Sequence, residues 1–545
     1  MKKIIYLGLL LLAGACAPEQ PSDQPGATDK PNIIIILADD MGYSDVGCFG
    51  SEINTPYLDK LAREGLTMTH FYNAGRCCPS RASLLSGLYP HKAGIGGMTD
   101  QNVELASYQG YFKNSVVTIA DVLKAQGCQT YTSGKWHVGY REQHWPLNHG
   151  FDHCYSFIHG ASSYFDFLPY RNADWPHSDG NLTWVRDNQE LDSPDTLIYT
   201  TDLYTDEAIR LINRSENEDT PFFLYLAYNA PHWPLHALPE DIAKYKGVYD
   251  IGYDSIRLKR YRKMVQLGIL PTVDTLSNGY GETRWDDLDE STKQDYASKM
   301  EVYAAMVDRM DQNIGRLVKN LEQTGKKDNT LIIFLSDNGG ARTGKIPYLA
   351  DRFLDSAKVG TPSSFEGYGV NWANVSNVPF RRFKAEMYEG GIATPFIAWY
   401  PELIKRPVIS HEPAHLVDLL PTLLELAGGE YPAQHNGEAT QALDGQSVLP
   451  LFSGQEIVRE SPLFFEHYGG KAIRRGDWKL VKLKSGEWEL FNMVHDRSEL
   501  HNLVDSLPEM AIDLKTEYKA IAERVGAFDS EYVKSKTIPY KKAAQ

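Results

Sequence analysis

The chain is poor in cysteine, in long apolar runs and in positive charge. It has six cysteines among 545 residues, which excludes a small fold held together by a dense set of disulfides. After the N-terminal segment, no apolar run approaches the ~20 residues that a membrane-spanning helix needs, so a polytopic membrane protein is excluded. Acidic residues outnumber basic ones and give a net charge of −16, which makes nucleic acid a poor partner.

What remains is the composition of a globular protein. Hydrophobic residues make up 42% of the chain and charged residues 23%, which excludes disorder, collagen and coiled coil as descriptions of the whole molecule. The length predicts two or three folding units, or one large α/β core with additions.

Residues 1–30 have the pattern of an export signal followed by a tether. Lys2 and Lys3 precede a short apolar run that ends in small residues before Cys16, which resembles a bacterial lipobox. We expect a signal peptide over 1–15, a lipid on Cys16 and a flexible tether over 16–30. The alternative is ordinary cleavage just before Cys16, which yields a soluble periplasmic protein. Both alternatives predict export in a Gram-negative bacterium, either to the periplasm or to the outer membrane or cell surface. Contact with the membrane is expected only through the lipid anchor.

Buried strand patterns alternate with amphipathic helix patterns along most of the chain. The strands are predicted at 33–38, 129–132, 221–227, 330–335 and 394–399, and the helices at 55–65, 116–126, 201–213, 287–322 and 415–426. This alternation predicts a large, mostly parallel, doubly wound α/β sheet flanked by helices, over residues 31–454. Shorter strand patterns and a helix at 508–525 predict a smaller C-terminal subdomain of antiparallel sheet plus helix, over residues 455–545.

Polar residues directly follow three of these strands. Asp39 and Asp40 come after the first, Asp337 and Asn338 after the strand at 330–335, and His232 shortly after the strand at 221–227. Two acidic groups at neighbouring strand ends are costly together unless a cation lies between them. Oxygen ligands without zinc-type Cys and His spacing favour Ca²⁺, with Mg²⁺ as the alternative. Taken singly, each acidic pair is as well explained by a helix cap or a turn.

Cys77 and Cys78 open a segment that reads as the start of a helix. Pro79 suits a first helical turn, so Cys77 is predicted at a helix N-terminus, where a thiol pKa is lowered and anions are bound. Arg81 lies four residues on and faces Cys77 across one turn. The alternative is a buried structural cysteine beside a helix cap.

This segment resembles a known family signature. Cys77-Cys78-Pro79-Ser80-Arg81 followed by Leu84-Leu85-Ser86-Gly87 is similar to the signature of type I sulfatases, which belong to the alkaline-phosphatase-like superfamily. Further family motifs follow in the same order: Asp39-Asp40-Met41-Gly42, Gly134-Lys135-Trp136-His137, Pro231-His232, Asp337-Asn338-Gly339, and Lys384 ahead of Glu389-Gly390-Gly391. The resemblance covers roughly residues 31–530. It departs at Thr394, where many members have Arg or Val, and we interpret this as framework variation.

The resemblance implies a formylglycine-dependent sulfuric ester hydrolase. It implies that a separate maturation enzyme oxidises Cys77, and not Cys78, to formylglycine. It also implies one divalent metal per chain, held by Asp39, Asp40, Asp337, Asn338 and the modified Cys77. By the same resemblance, Arg81 and Lys135 would support the formylglycine diol and the sulfate, and His137 would orient or deprotonate a diol hydroxyl. His232 and Lys384 would contact the sulfate and the leaving oxygen, with His232 as the candidate acid.

Plainer explanations exist for several of these residues. Lys135 and His137 could end a solvated strand, and His232 could cap a loop between prolines. Lys384 has Arg381 and Arg382 as neighbours, so any of the three could be an ordinary surface charge. His467 is a candidate substrate contact in the C-terminal subdomain, and a packed strand residue is an equal alternative. Three tryptophans are expected in the core: Trp136, Trp233 and Trp399.

The expected substrate is a sulfated host or algal glycan, attacked exo, with galactose- or hexosamine-type sugars ahead of aryl sulfates. Aromatic residues in the long loops at 137–190 and 340–380 would stack on sugar rings: Trp145, Tyr155, Tyr164, Trp175, Tyr348 and Trp372. The alternative is that they pack the loops onto the sheet. Two rival functions remain at this point, a phosphodiesterase or phosphonate monoester hydrolase of the same superfamily and a non-catalytic glycan-binding lipoprotein.

Overall fold

The computed structural model describes residues 30–538, apart from 102, 171–181, 193–196, 215–219, 271–274, 282 and 347–348. The predicted signal peptide, Cys16, nearly all of the tether, Trp175 and Tyr348 lie outside the described residues. Within them, no helix is long and apolar enough to cross a membrane. The five described cysteines are all free, so no disulfide holds this part of the chain together.

Seventeen strands form three sheets in the described part of the chain. In chain order they are β1 Asn32–Ala38, β2 Leu66–Tyr72, β3 Gln129–Lys135, β4 His153–Phe157, β5 Trp184–Arg186, β6 Gln189–Glu190, β7 Phe222–Ala227, β8 Thr330–Ser336, β9 Ala393–Trp399, β10 Val408–Ser410, β11 Ala414–His415, β12 Gln434–His435, β13 Glu438–Ala439, β14 Leu463–His467, β15 Gly470–Arg475, β16 Trp478–Lys482 and β17 Glu489–Asn492.

Fourteen α-helices accompany them among the same residues. They are α1 Pro56–Glu64, α2 Cys77–Ser86, α3 Pro90–Ala93, α4 Ile119–Ala125, α5 Thr200–Ile212, α6 Pro239–Ala243, α7 Gly252–Gln266, α8 Glu290–Gln323, α9 Gly369–Ser376, α10 Glu389–Ile392, α11 Leu419–Leu426, α12 Leu449–Phe452, α13 Pro508–Val525 and α14 Ser530–Ser535.

The largest sheet has eleven strands and is mostly parallel, as predicted. Its order is β10-β2-β9-β8-β1-β7-β3-β4-β5-β6, with β11 paired to β2. The central strands β8, β1, β7, β3 and β4 run parallel to one another, so their carboxyl ends meet at one edge. The strand β9 runs antiparallel to both of its neighbours and makes the sheet mixed.

Helices cover both faces of this sheet, as the isoleucine-rich β1 shows. Ile34 and Ile36 pack into one hydrophobic cluster with the long helix α8, and Ile33 and Ile35 pack into another with α4 and α11. Alternate side chains point to opposite faces, so a strand that is apolar at every position must be buried on both.

The C-terminal part contains a four-stranded antiparallel sheet, as predicted. The order is β14-β15-β16-β17, and α13 packs on it through Leu514 and Tyr518. The sequence prediction missed β14, and it also missed β2, β4 and α7 in the main part. The boundary at residue 454 remains a prediction.

Candidate active site

Two parallel neighbours, β1 and β8, bring the acidic residues together. Ala38 pairs with Ser336 in the last step of their register, so Asp39 and Asp337 follow at the same level of the sheet. Asp40 adopts a left-handed backbone conformation with φ of 63°, and its N–H donates to Asp337 Oδ1 at 3.2 Å. Asn338 Nδ2 donates to Asp40 Oδ1 at 2.7 Å. Four of the five side chains predicted as metal ligands, all except that of Cys77, therefore form one buried group.

Each of these side chains keeps one oxygen without a hydrogen bond, except Asp337. Asp39 Oδ1, Asp40 Oδ2 and Asn338 Oδ1 are buried and unpartnered. Burial and the charge of Asp39 raise the pKa of Asp337 to about 8, and burial raises the pKa of Asp39. Unpaired buried oxygens and crowded carboxylates are the features that a divalent cation would resolve, so the residues present fit a Ca²⁺ or Mg²⁺ ion.

Three cations flank this group. Arg81 is fully buried and contacts Asp337 Oδ2 through Nε at 3.1 Å and Nη2 at 2.9 Å. Lys135, the last residue of β3, lies 2.6 Å from Asp39 Oδ2, and Lys384 lies 2.5 Å from Asp40 Oδ1. Burial alone would lower the pKa of Lys384, but Asp40 and other nearby anions raise it. The cations neutralise one oxygen of each carboxylate, and Asp39 Oδ1 and Asp40 Oδ2 are left without a hydrogen bond.

Cys77 is the first residue of α2, as predicted, and it is buried beside these cations. A hydrogen bond from Cys78 and the nearby Lys384 and Lys135 hold the pKa of its thiol well below the usual range. The Cys78 thiol also contacts the Gly97 carbonyl at 3.6 Å and Met98 Sδ at 3.4 Å, and burial raises its pKa. Of the two cysteines, only Cys77 lines the cavity described below.

His137 lies close to Cys77. Ligand atoms of His137, Cys77 and Cys78 lie within 4.8 Å of one another. The His137 Nδ1 makes no hydrogen bond among the described residues, and burial lowers the pKa of the ring to about 3. Its φ of 56° turns the ring toward Gly160, where a Cβ would lie 2.7 Å from His137 Cε1.

His232 is oriented by a hydrogen bond to the main chain of the next residue. Its Nδ1 lies 2.6 Å from the Trp233 carbonyl and therefore carries a hydrogen, which directs Nε2 to Asp40 Oδ2 at 3.4 Å. Burial lowers the pKa of His232 to about 4. Tyr164, expected on a sugar, is buried and instead contacts the His232 carbonyl at 2.8 Å.

His467 lies at the end of β14 and is almost fully buried. Burial and the nearby Arg76 lower its pKa well below the usual range, while the influence of Cys77 acts in the opposite direction. The side chain therefore lies near Cys77, but it is absent from the cavity wall.

A cavity of about 1110 Å³ opens above Cys77. Its wall includes His137, His232 and Lys384, together with five aromatic residues: Tyr111, Tyr140, Trp145, Tyr170 and Trp233. Trp233 was expected in the core. Of the four loop aromatics predicted to bind sugar that the structure describes, only Trp145 lines the cavity. Tyr155 and Trp372 are buried in the main hydrophobic cluster. Composition alone does not tell which face of a long loop meets the sheet.

Comparison with known proteins agrees with this geometry. The sulfatase family model matches residues 31–429, and the model of the N-sulphoglucosamine sulphohydrolase C-terminal region matches residues 380–524. An arylsulfatase of Klebsiella aerogenes is 35% identical over 466 residues, covering 84% of this chain and 96% of its own. The N-acetylgalactosamine-6-sulfatase of Homo sapiens is 28% identical, covering 81% of this chain and 69% of its own.

Solved structures are similar over nearly the whole chain. The structure of Ps i-CgsB in complex with k-i-k-neocarrahexaose superposes with a TM-score of 0.67 and 28% identity, covering 93% of this chain and 96% of that one. BT4656, in complex with D-glucosamine-2-N,6-O-disulfate, is 21% identical with a TM-score of 0.62, which shows the fold alone. The chain belongs to the type I sulfatase family and is a sulfuric ester hydrolase.

Proposed function

We propose that this sulfatase removes sulfate from sulfated carbohydrates. The observation that carries the proposal is the position of Cys77 beside Lys384, His137 and His232 at a cavity of about 1110 Å³. Cavities of roughly 300–1,000 Å³ bury a drug-sized ligand, so this one has more room than an aryl sulfate needs. Its polar and aromatic wall suits a sugar ring, which has hydroxyl edges and apolar faces.

We propose galactose- or hexosamine-type sugars of host or algal glycans, and the names of the relatives support the hexosamine type. N-acetylgalactosamine-6-sulfatases are 28% to 29% identical to this chain over most of its length. Ps i-CgsB, with 28% identity, was solved with an oligosaccharide bound. We propose exo action because the reactive residues lie inside a cavity. For the same glycan-degrading role we propose export, with a lipid on Cys16.

Sulfatases generally use a metal and a formylglycine, and the residues present fit both. Formylglycine at position 77, made by a maturation enzyme, would supply a hydrated aldehyde as nucleophile. A bound Ca²⁺ would supply positive charge to the sulfate and lower the pKa of the attacking hydroxyl. It would be held by Asp39, Asp40, Asp337, Asn338 and residue 77.

The chain's own cations provide the rest of the charge. A sulfate monoester is an anion, so attack by an anionic nucleophile requires its oxygens to be neutralised. Lys384 lies on the cavity wall and provides an ammonium group there, while Arg81 and Lys135 hold the carboxylates beneath. These groups are placed before the substrate arrives, so little reorganisation is needed.

The two histidines handle protons. With Nδ1 donating to the Trp233 carbonyl, His232 Nε2 is the nitrogen that would give a proton to the leaving alcohol. The ring is neutral at pH 7 in the free protein because burial lowers its pKa to about 4, and the negative charge of bound substrate acts to raise it. His137, beside Cys77, would orient or deprotonate a hydroxyl at that position.

The test compares kcat/KM for sulfated galactose and N-acetylhexosamine sugars with that for 4-nitrophenyl sulfate, read by released sulfate. We expect a sugar to lead, Cys77→Ala to lose more than 10³-fold in activity, and Cys78→Ala to retain it. Peptide mass analysis should show the aldehyde at residue 77 only. Turnover of the aryl ester alone would contradict the carbohydrate assignment, and full activity with an unmodified Cys77 would contradict formylglycine.

A further inference from the structure

Arg76 is a cation on the cavity wall that the proposed chemistry does not use. It precedes Cys77 directly and is the N-cap residue of α2. Its Nε is buried and has no hydrogen-bond partner among the described residues. No carboxylate of the described chain lies within the 4.0 Å that defines an ion pair with its guanidinium. A half-buried, unpaired guanidinium is costly unless a ligand satisfies it.

The guanidinium is held in place by an aromatic ring rather than by an acid. It lies 5.9 Å from the ring centroid of Tyr468, which belongs to the turn between β14 and β15. The Tyr468 hydroxyl in turn accepts a hydrogen bond from Met98 N at 3.1 Å, and the tyrosine ring packs on His467 with 4.2 Å between the ring centroids. This contact restrains the side chain of a residue that lines the cavity.

Two other cations of the described cavity wall, Lys384 and Arg342, are already paired with acids, and a third, Arg141, is exposed to solvent. Arg81 is bound to Asp337 and Lys384 to Asp40, and Arg342 lies 3.6 Å from Glu386. Carboxylates also line the cavity, at Asp100, Glu142 and Glu190, so the wall is not uniformly positive. A second anionic group on the substrate would therefore be attracted to Arg76 in particular, because the acidic residues of the cavity wall would repel it elsewhere.

We infer that Arg76 binds a second anionic group of the substrate, next to the sulfate that is removed. This rests on the proposed carbohydrate function and specifies it: the substrate is a polyanionic sugar unit, with either a second sulfate or a carboxylate. Both groups offer a guanidinium two parallel oxygens, which is the geometry that arginine binds best. Arg76 is then a specificity-determining residue for the same reaction.

The test uses hydrolysis of 4-nitrophenyl sulfate as a reporter and sugars as competitors. The competitors are N-acetylgalactosamine 6-sulfate, its 4,6-disulfate, and the 6-sulfate linked to glucuronic acid. Inhibition constants are measured for wild type, Arg76→Gln and Arg76→Lys, after thermal unfolding has shown that each variant folds. Arg141→Gln is the matched control, because it removes the same charge from an exposed position on the same cavity.

We expect wild type to bind a doubly anionic sugar about tenfold or more tighter than the monosulfate. Arg76→Gln should abolish this preference, Arg76→Lys should keep part of it, and Arg141→Gln should keep it. The disulfate and the glucuronide arms then identify which anion is bound. Equal inhibition by all sugars in wild type, or an unchanged preference in Arg76→Gln, would overturn the inference. Failure of every sugar to bind wild type would overturn the carbohydrate function as well.

Discussion

At the residue scale, the site is defined by carboxylates that cannot all be ionised without help. Asp39, Asp40 and Asp337 are buried together, and the pKa of Asp337 rises to about 8. Arg81, Lys135 and Lys384 offset part of the repulsion through one oxygen of each acid. The remaining negative potential selects a hard cation with oxygen ligands.

Asp337→Asn should abolish stabilisation by Ca²⁺. Asparagine has nearly the same size, but its amide N–H₂ would face a donor, because both oxygens of Asp337 accept hydrogen bonds, one from Asp40 N and the other from Arg81. The variant should therefore melt below wild type in chelator, and each protein's response to Ca²⁺ is compared with its own chelated state. Ca²⁺ at 100 times its Kd should stabilise wild type by about 2.7 kcal/mol and the variant by almost nothing.

Thermal unfolding with and without Ca²⁺ measures this effect. The matched control is Asp311→Asn, since Asp311 is also buried with a pKa raised to about 7 but accepts hydrogen bonds from Tyr57 N and Leu58 N, away from the site. The control should keep the full Ca²⁺ response. An equal Ca²⁺ response in Asp337→Asn would show that the ion binds elsewhere.

The sequence predicted the positions of the clustered polar residues better than the make-up of the cavity wall. Asp39, Cys77 and Asp337 follow from strand ends and a helix start, which are local features. The aromatic wall does not, because Trp233 reaches the cavity while Tyr164 is buried under the His232 loop. Whether an aromatic residue lines the cavity or is buried depends on the path that each long loop takes over the sheet. No local sequence pattern determines that path.

At the element scale, β1, β7, β8 and β9 were predictable because each is apolar at nearly every position and is bounded by turn residues. The central strand β4 was missed because His153 and Ser156 interrupt its apolar pattern. The strand β2 was missed because Thr67, Thr69 and His70 interrupt its apolar pattern. Its threonines are buried all the same, and Thr69 Oγ1 contacts the His70 and His411 rings at 2.8 and 2.7 Å. The contact with His411 joins distant parts of the chain and cannot be predicted from a local pattern.

The close approach of β3 to β7 places Lys135 at the site. Gly134 has φ of +111°, and a Cβ there would lie 1.9 Å from the Ala227 carbonyl oxygen. Gly134→Ala should therefore destabilise the protein by about 3 kcal/mol or more and reduce activity, because the end of β3 must move.

Chemical denaturation and 4-nitrophenyl sulfate turnover would measure both effects. Gly486→Ala is the control, since the nearest atom to its Cβ would be 3.4 Å away and its φ is unstrained. It should stay within about 0.5–1 kcal/mol of wild type. If Gly134→Ala were as stable and active as this control, the packing argument for β3 would be wrong.

At the scale of the whole molecule, a buried ionic cluster joins the C-terminal sheet to the loop that carries Lys384. Lys479 lies 2.9 Å from Glu389 Oε1 and 2.8 Å from Glu499 Oε1, and Arg497 lies 3.1 Å from Glu389 Oε2. All four side chains are nearly inaccessible to solvent. Glu389 begins α10, five residues after Lys384, so the cluster fixes the path of the chain from the reactive centre into β9.

The two acids of this cluster should give stability opposite dependences on pH. Burial and Glu389 raise the pKa of Glu499 to about 7 from 4.5, so the folded state holds an extra proton between these values and stability falls as pH rises through them. Lys479 and Arg497 outweigh burial at Glu389 and lower its pKa to about 2, so its contribution is present above pH 4.5 and is lost as pH falls toward 2.

Glu499→Gln should therefore become more stable relative to wild type as pH rises from 5 to 8, with a difference in melting temperature that grows by roughly 2 °C or more. Glutamine keeps the shape of the protonated acid but cannot ionise. Glu389→Gln should show the opposite trend, losing stability relative to wild type as pH rises from 3 to 6. Melting temperatures of wild type and the two variants, measured from pH 3 to pH 8, test both trends. Parallel curves for Glu499→Gln and wild type would mean that Glu499 titrates alike in the folded and unfolded chains, and the cluster would then be an ordinary set of ion pairs.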